Sequence, residues 1–228
     1  MKIKPSPRKI FIESFIARTT PLLQKQHKGN NLSKYENDIL ELGQVISEIE
    51  NSFDLLKLFP KFITTHSSSF EKKGFTRVHQ HRKNIEWYLN EVYIFKERVI
   101  RFLTLMKRKL IKKHFLKTST EIQLIDSLKK TFLDSVDGLI KTRGEHVHVF
   151  SYQDKDLHHI ELLDVAYRTF DLLPENKKDI YEDLKFYLYI QRKQWKERIE
   201  KNTSILTKLL DYIYLAIEKE NLINKTII

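Results

Sequence analysis

Apolar residues recur along this chain at three- and four-residue steps, the spacing that draws one stripe down an α-helix. Residues 8–18 form a first short amphipathic segment, closed on this reading by Pro21 and the polar run KQHKGNN. A helix start follows, with Ser33 as cap and Glu36 three places on, the form of a capping box. Ile39, Leu42, Val45, Ile46, Ile49 and Phe53 carry its stripe on to Pro60, where the helix is expected to end. THSSSFEKKGF then reads as an exposed connection.

The longest stripe, Ile85, Leu89, Val92, Val99, Phe102, Met106 and Leu110, predicts a helix from about Arg82 to His114. Trp87, Tyr88, Tyr93, Ile94, Phe95 and Leu103 widen it, as in a helix that packs on more than one side. A second helix, from about Ser119 to Thr142, carries Ile122, Ile125, Leu128, Phe132, Val136, Leu139 and Ile140 behind the capping residues Ser119 and Thr120. DLHHIELLDVAYRTFDLL is a further amphipathic helix, stopped by Pro174. The last element, from about Asn176 to Glu220, is apolar at Ile180, Leu184, Tyr187, Ile190, Trp195, Ile199, Ile205, Leu209, Ile213 and Leu215. Its length predicts a break near KNTS, residues 201–204. The expectation is an all-α bundle of five to seven helices with long antiparallel core helices.

Composition narrows this picture without changing it. The 228 residues hold only 5 Gly and 5 Pro, too few to punctuate many short strands, and 41% are hydrophobic against 31% charged. That fits one domain over residues 1–228, with residues 1–60 as an N-terminal helical extension packed on the bundle. There is no Cys, which excludes disulfides and thiolate zinc sites. No sustained apolar leader segment stands at the N-terminus, and no apolar run reaches a membrane span, so the expected location is cytoplasmic. The formal net charge of +11 points to an anionic partner.

The candidate chemistry gathers in KTRGEHVHVFSYQDKDLHH, residues 141–159, which holds four of the nine His. Arg143 and His148 enclose four residues; a second pairing, Arg108 and His114, encloses five at a basic helix end. Five residues at about 100° each set Arg143 and His148 roughly 140° apart on a straight helix. Either Gly144 distorts the turn, or two chains supply complementary halves of one site. YLNEVYIFKERVIRFL, residues 88–103, then an apolar helix, then RGEHVHVF and an acidic turn, together resemble the HEPN superfamily over residues 80–215. The members are all-helical, and many are metal-independent ribonucleases of defence and toxin systems.

The resemblance implies that Arg143 and His148 are the catalytic pair of an RNA-cleaving enzyme. It implies a homodimer that joins two copies of the motif, and a cognate antitoxin or defence-system partner. An imidazole can move a proton near neutral pH, and a guanidinium can hold a phosphate as charge builds on it. RNA brings its own nucleophile, the 2′-hydroxyl, so this reading calls for no metal and no cofactor. Glu145 can orient His148 or assist proton transfer; Gly144 stands where many members carry Asn, and Phe150 where the antitoxin-modified toxins carry Tyr.

Other readings stand beside this one. His146 and His148, with His158, His159, Asp154 and Asp156 near in sequence, are proper metal ligands, although an H-x-H pair shares a face on a strand rather than a helix. Lys107, Arg108, Lys112 and Lys113 in KRKLIKKHFLK can add general attraction for RNA. In YLYIQRKQWKER, residues 187–198, Trp195 or Tyr189 can stack on bases. A non-catalytic helical module, binding nucleic acid or a partner protein, needs the basic surface and not the motif.

Overall fold

In a computed structural model the chain is described over residues 6–147, 155–169 and 173–227, of which 138–147 and 227 are described as helical backbone alone. Eight helices follow one another among these residues, and none of the regular structure is strand: α1 Pro7–His27, α2 Lys34–Thr64, α3 Ser68–Glu71, α4 Arg77–Lys112, α5 Thr120–Val147, α6 Lys155–Thr169, α7 Pro174–Lys219 and α8 Leu222–Ile227. The all-α expectation holds, and the two elements beyond it are the short α3 and α8.

The predicted helix ends differ where proline or polar residues were expected to break the chain. Pro21 lies inside α1 on its exposed face, where water can take the carbonyl that proline leaves without a donor. Pro60 lies inside α2, between the fully buried Phe59 and Ile63, whose burial holds the turn together. No break occurs at KNTS. Thr203 returns its hydroxyl to the Ile199 carbonyl at 2.8 Å, and Asn202 Nδ2 donates to the Tyr88 hydroxyl oxygen at 3.0 Å. Asn202 thus occupies the apolar stripe of α7, which runs on through Leu206, Leu210, Ile213 and Ile217, while Ile205 is exposed.

The helices gather into two compact units. The first holds Met1–Phe53, Ile94–Asp137 and Ser204–Ile228. In its core Phe11 stacks on Tyr214 with centroids 4.4 Å apart, and Phe95 packs against Phe53 and Phe132. The Tyr214 hydroxyl donates to Glu50, which also receives Arg8; burial, then the Glu50 charge, raises the Tyr214 pKa. The capping box forms as the sequence predicts: Ser33 N–H donates to Glu36 Oε2 at 2.7 Å, and Glu36 N–H to Ser33 Oγ at 3.2 Å. At Gly43 an added Cβ meets Thr19 Cγ2 at 2.9 Å and Phe15 Cε1 at 3.2 Å, so α1 and α2 approach closely there.

The second unit holds Asp54–Tyr93 and Gly138–Thr203. The ring of Phe62 stacks on Trp87 at 5.2 Å, with Phe59 set edge-on to Trp87 and Tyr88. Leu157 and Ile160 of α6 are buried, and Ile160 clusters with Val78, Leu184 and Leu188. Burying each such side chain contributes about 1.5–3 kcal/mol. Arg82 ties α4 to α6 through Glu161. Among the described residues, no helix is long and apolar enough to cross a membrane.

Candidate functional site

The helix α5 runs through Gly144 to Val147, so Arg143 and Glu145 lie on regular helix. Their side chains, and His148 altogether, fall outside the described residues, as do the side chain of His146 and the whole of Asp154. His158 and His159 of α6 are exposed, and His159 stands edge-on to Tyr187 at 4.9 Å. Among the described residues no three His, Asp or Glu gather as metal ligands.

The basic run of α4 divides in the first unit. Lys107 is half-buried and paired with Asp126, its Nζ within 2.7 Å of both carboxylate oxygens. Lys109, which the run contains, is buried between Asp38 and Glu41. Burial opposes its charge, but the two carboxylates outweigh that cost and raise its pKa. Arg108, Lys112 and Lys113 are exposed. His114 ends α4 at φ 67, with its N–H on the Ile111 carbonyl and the Phe115 N–H on the Leu110 carbonyl. The Arg108–His114 spacing therefore reflects a Schellman turn at a helix end.

The second unit contains a cavity of about 860 Å³, a size typical of ligand sites. Helix α7 supplies its longest wall. With Leu184, Leu188, Trp195 and Ile199 buried, the neighbouring stripe of Tyr181, Lys185, Tyr189, Arg192 and Lys196 faces the cavity at steps of three and four. Trp195 is only 3% exposed and packs against Tyr88, which removes it from base stacking. Tyr189 is 64% exposed on the cavity rim, with no ring partner among the described residues.

Two shorter elements close the remaining walls. Gly74, at φ 86, ends α3 in a left-handed turn and brings Phe75 to the cavity. Thr76 then caps α4: its Oγ1 accepts from the His79 N–H at 3.2 Å and donates to Asp164 Oδ2 at 3.0 Å. Asp164 is buried and also receives Arg168 Nη2 at 3.0 Å. This linkage places Arg77 of α4 and Arg168 of α6 beside α7.

Each cation on those two walls has a carboxylate of its own. Arg77 donates Nε to Glu71; that bond raises the arginine pKa and lowers the glutamate pKa. Arg168 holds Asp164. Arg192 makes no ion pair among the described residues, and its buried Nε lacks a hydrogen-bond partner. Burial, then the neighbouring Arg77, lowers the Arg192 pKa, with Glu71 opposing in part. One turn past Arg77, His81 is 1% exposed, and neither ring nitrogen has a partner among the described residues. Burial, then the Arg192 charge, pushes its pKa down to about 3, so the ring is neutral. An unpaired, half-buried guanidinium in a roomy cavity is a receptor for an anion.

The run 187–198 thus contributes Tyr189, Arg192, Lys193 and Lys196 to the cavity. Arg77 and Arg168 went unread, because isolated arginines on separate helices leave no periodic signal. No protein-family model matches the chain, and no curated protein or solved structure matches it.

Proposed function

We propose that the chain is a metal-independent, HEPN-like endoribonuclease that acts in the cytoplasm as a homodimer, with a defence or toxin role and a cognate regulatory partner. One observation carries the reading: the unit that includes Arg143, Glu145 and His148 in its sequence also holds a cationic, tyrosine-walled cavity suited to a phosphate-bearing strand. The helix α5 keeps its course through Gly144, so that glycine does not supply a distorted turn, which supports a site assembled from two chains.

In this reading the 2′-hydroxyl attacks the adjacent phosphorus as it gives its proton to a His148 imidazole. The bond to the 5′-oxygen breaks, and that oxygen takes a proton from an imidazolium. Arg143 neutralises charge on the non-bridging oxygens, and Glu145 orients the imidazole. The products are a 2′,3′-cyclic phosphate and a 5′-hydroxyl. Incubating structured and unstructured RNA with wild-type protein in EDTA tests the claim. Scission is expected, with Arg143→Ala or His148→Ala lowering the rate by about 10²–10⁴-fold while the helical circular dichroism is unchanged. Full cleavage by either variant rejects the assignment.

A second reading, an RNA-binding module without scission, draws on the unpaired Arg192, which can hold a strand with no reacting group beside it. Salt-sensitive binding with intact RNA at every protein concentration selects that reading.

A further inference from the structure

A receptor for nucleic acid needs a contact for the backbone and a face for the base, within one nucleotide of each other. Helix α7 presents both. Arg192 is recessed, with its Nε buried and unpartnered among the described residues, and the other two arginines of the cavity are held by Glu71 and Asp164. Tyr189 lies one turn earlier on the same stripe, about 4.5 Å along the axis at 1.5 Å per residue. Its ring is open, whereas the other two tyrosines of the cavity are occupied: Tyr167 stacks on Tyr181 at 5.4 Å, and Lys185 covers Tyr181 at 4.3 Å.

We propose that Arg192 and Tyr189 form a clamp for one unpaired nucleotide, Arg192 gripping the phosphate and Tyr189 stacking under the base. The clamp rests on the reading of this protein as acting on RNA, and it adds where the strand is held and in what state. Lys193 and Lys196 on the same wall draw the flanking phosphates in.

Depth makes the site selective. In an A-form duplex each base is already stacked and paired, so none is free to lie on Tyr189. The phosphates of a duplex ride on a stiff cylinder and meet the exposed lysines, but do not descend to the guanidinium of Arg192. An unpaired strand has the freedom to do both. Single-stranded loops, bulges and ends are therefore the RNA this cavity accepts.

The test is binding by the full-length His148→Ala protein, which leaves the labelled RNA intact. Fluorescence anisotropy compares an unpaired RNA of about 12 nucleotides with a blunt, fully paired RNA duplex of the same length. The unpaired strand is expected to bind at least about tenfold tighter. Arg192→Met loses that binding by roughly ten- to a hundredfold, and Arg192→Lys, which lacks the guanidinium fork, recovers only part. Tyr189→Ala loses about tenfold, while Tyr189→Phe stays within about twofold, since stacking and not the hydroxyl is used. Duplex affinity is unchanged throughout.

Tyr189 is exposed, so its variants fold; Arg192→Met removes an uncompensated charge and is expected to melt no lower than its parent. Equal affinity for strand and duplex overturns the clamp, as does full strand binding by Arg192→Met and Tyr189→Ala. Competition by adenosine 5′-monophosphate as complete as by the strand also overturns it, in favour of a small-molecule nucleotide site. Cleavage is read separately on the wild type. RNA cut with no strand preference removes the clamp alone, and strand-selective binding without cutting removes the nuclease alone.

Discussion

His81 shows at the scale of one residue how the cavity marks the rest of the molecule. Its ring is buried and feels the Arg192 charge, so in the fold it takes a proton only near pH 3, against an ordinary value of 6.5. Between those values the unfolded chain holds one more proton than the folded one. Stability therefore rises with pH across the window and falls as acid carries the solution from 6.5 towards 3. The loss is about 1 kcal/mol for each pH unit. Carboxylates with lowered pKa, such as Glu71, act around and below their ordinary 4.5, so the upper part of the window isolates the histidine. His81→Leu, which removes the titrating ring from a buried position, should flatten the dependence; urea midpoints at about pH 7 and about pH 5 measure it. An unchanged acid slope in the variant would contradict the account.

At the scale of elements, the stripes were legible because burial and helical period coincide. Ile85, Leu89, Val92, Val99, Phe102, Met106 and Leu110 of α4 are all buried, as their spacing implies. Misreadings came where a local rule was overruled by packing. Pro60 is retained inside α2 by buried neighbours, and Asn202 sits in an apolar stripe because Tyr88 satisfies it. The break expected at KNTS rested on the length of the element, and α7 runs unbroken over Pro174–Lys219. Close approach is equally invisible in one sequence: Gly43 looks like a helix weakness and is a contact point for α1. Gly43→Ala gains up to about 1 kcal/mol of helix propensity. It costs about 1–3 kcal/mol of overpacking against the branched Thr19 and the Phe15 ring. The variant should melt below the wild type in a thermal scan; a higher midpoint would mean that α1 yields freely.

At the scale of the whole molecule, a formal charge of +11 favours the approach of anions but does not say which surface receives them. The basic run of α4 divides: Arg108, Lys112 and Lys113 are exposed. Lys107 is paired with Asp126, and Lys109 is buried between Asp38 and Glu41. The cavity draws instead on Tyr181, Lys185, Tyr189, Arg192 and Lys196, a periodic set that the sequence displays once the buried stripe beside it is known. Its two other arginines come from α4 and α6, brought beside α7 through Thr76 and Asp164 over 88 residues of chain. Such a juxtaposition exists only in the fold. The pairing of Arg143 with His148 is the reverse case, legible as a pattern and proposed as chemistry.

Mixing two inactive variants tests that chemistry most directly. If each site draws Arg143 from one chain and His148 from the other, Arg143→Ala and His148→Ala proteins are each unable to cut RNA, and a mixture that has exchanged subunits regains one intact site per mixed dimer. The account predicts restored scission in EDTA, ending in 2′,3′-cyclic phosphates. Wild-type cleavage by either variant alone, or a mixture as inert as its parts, would contradict it.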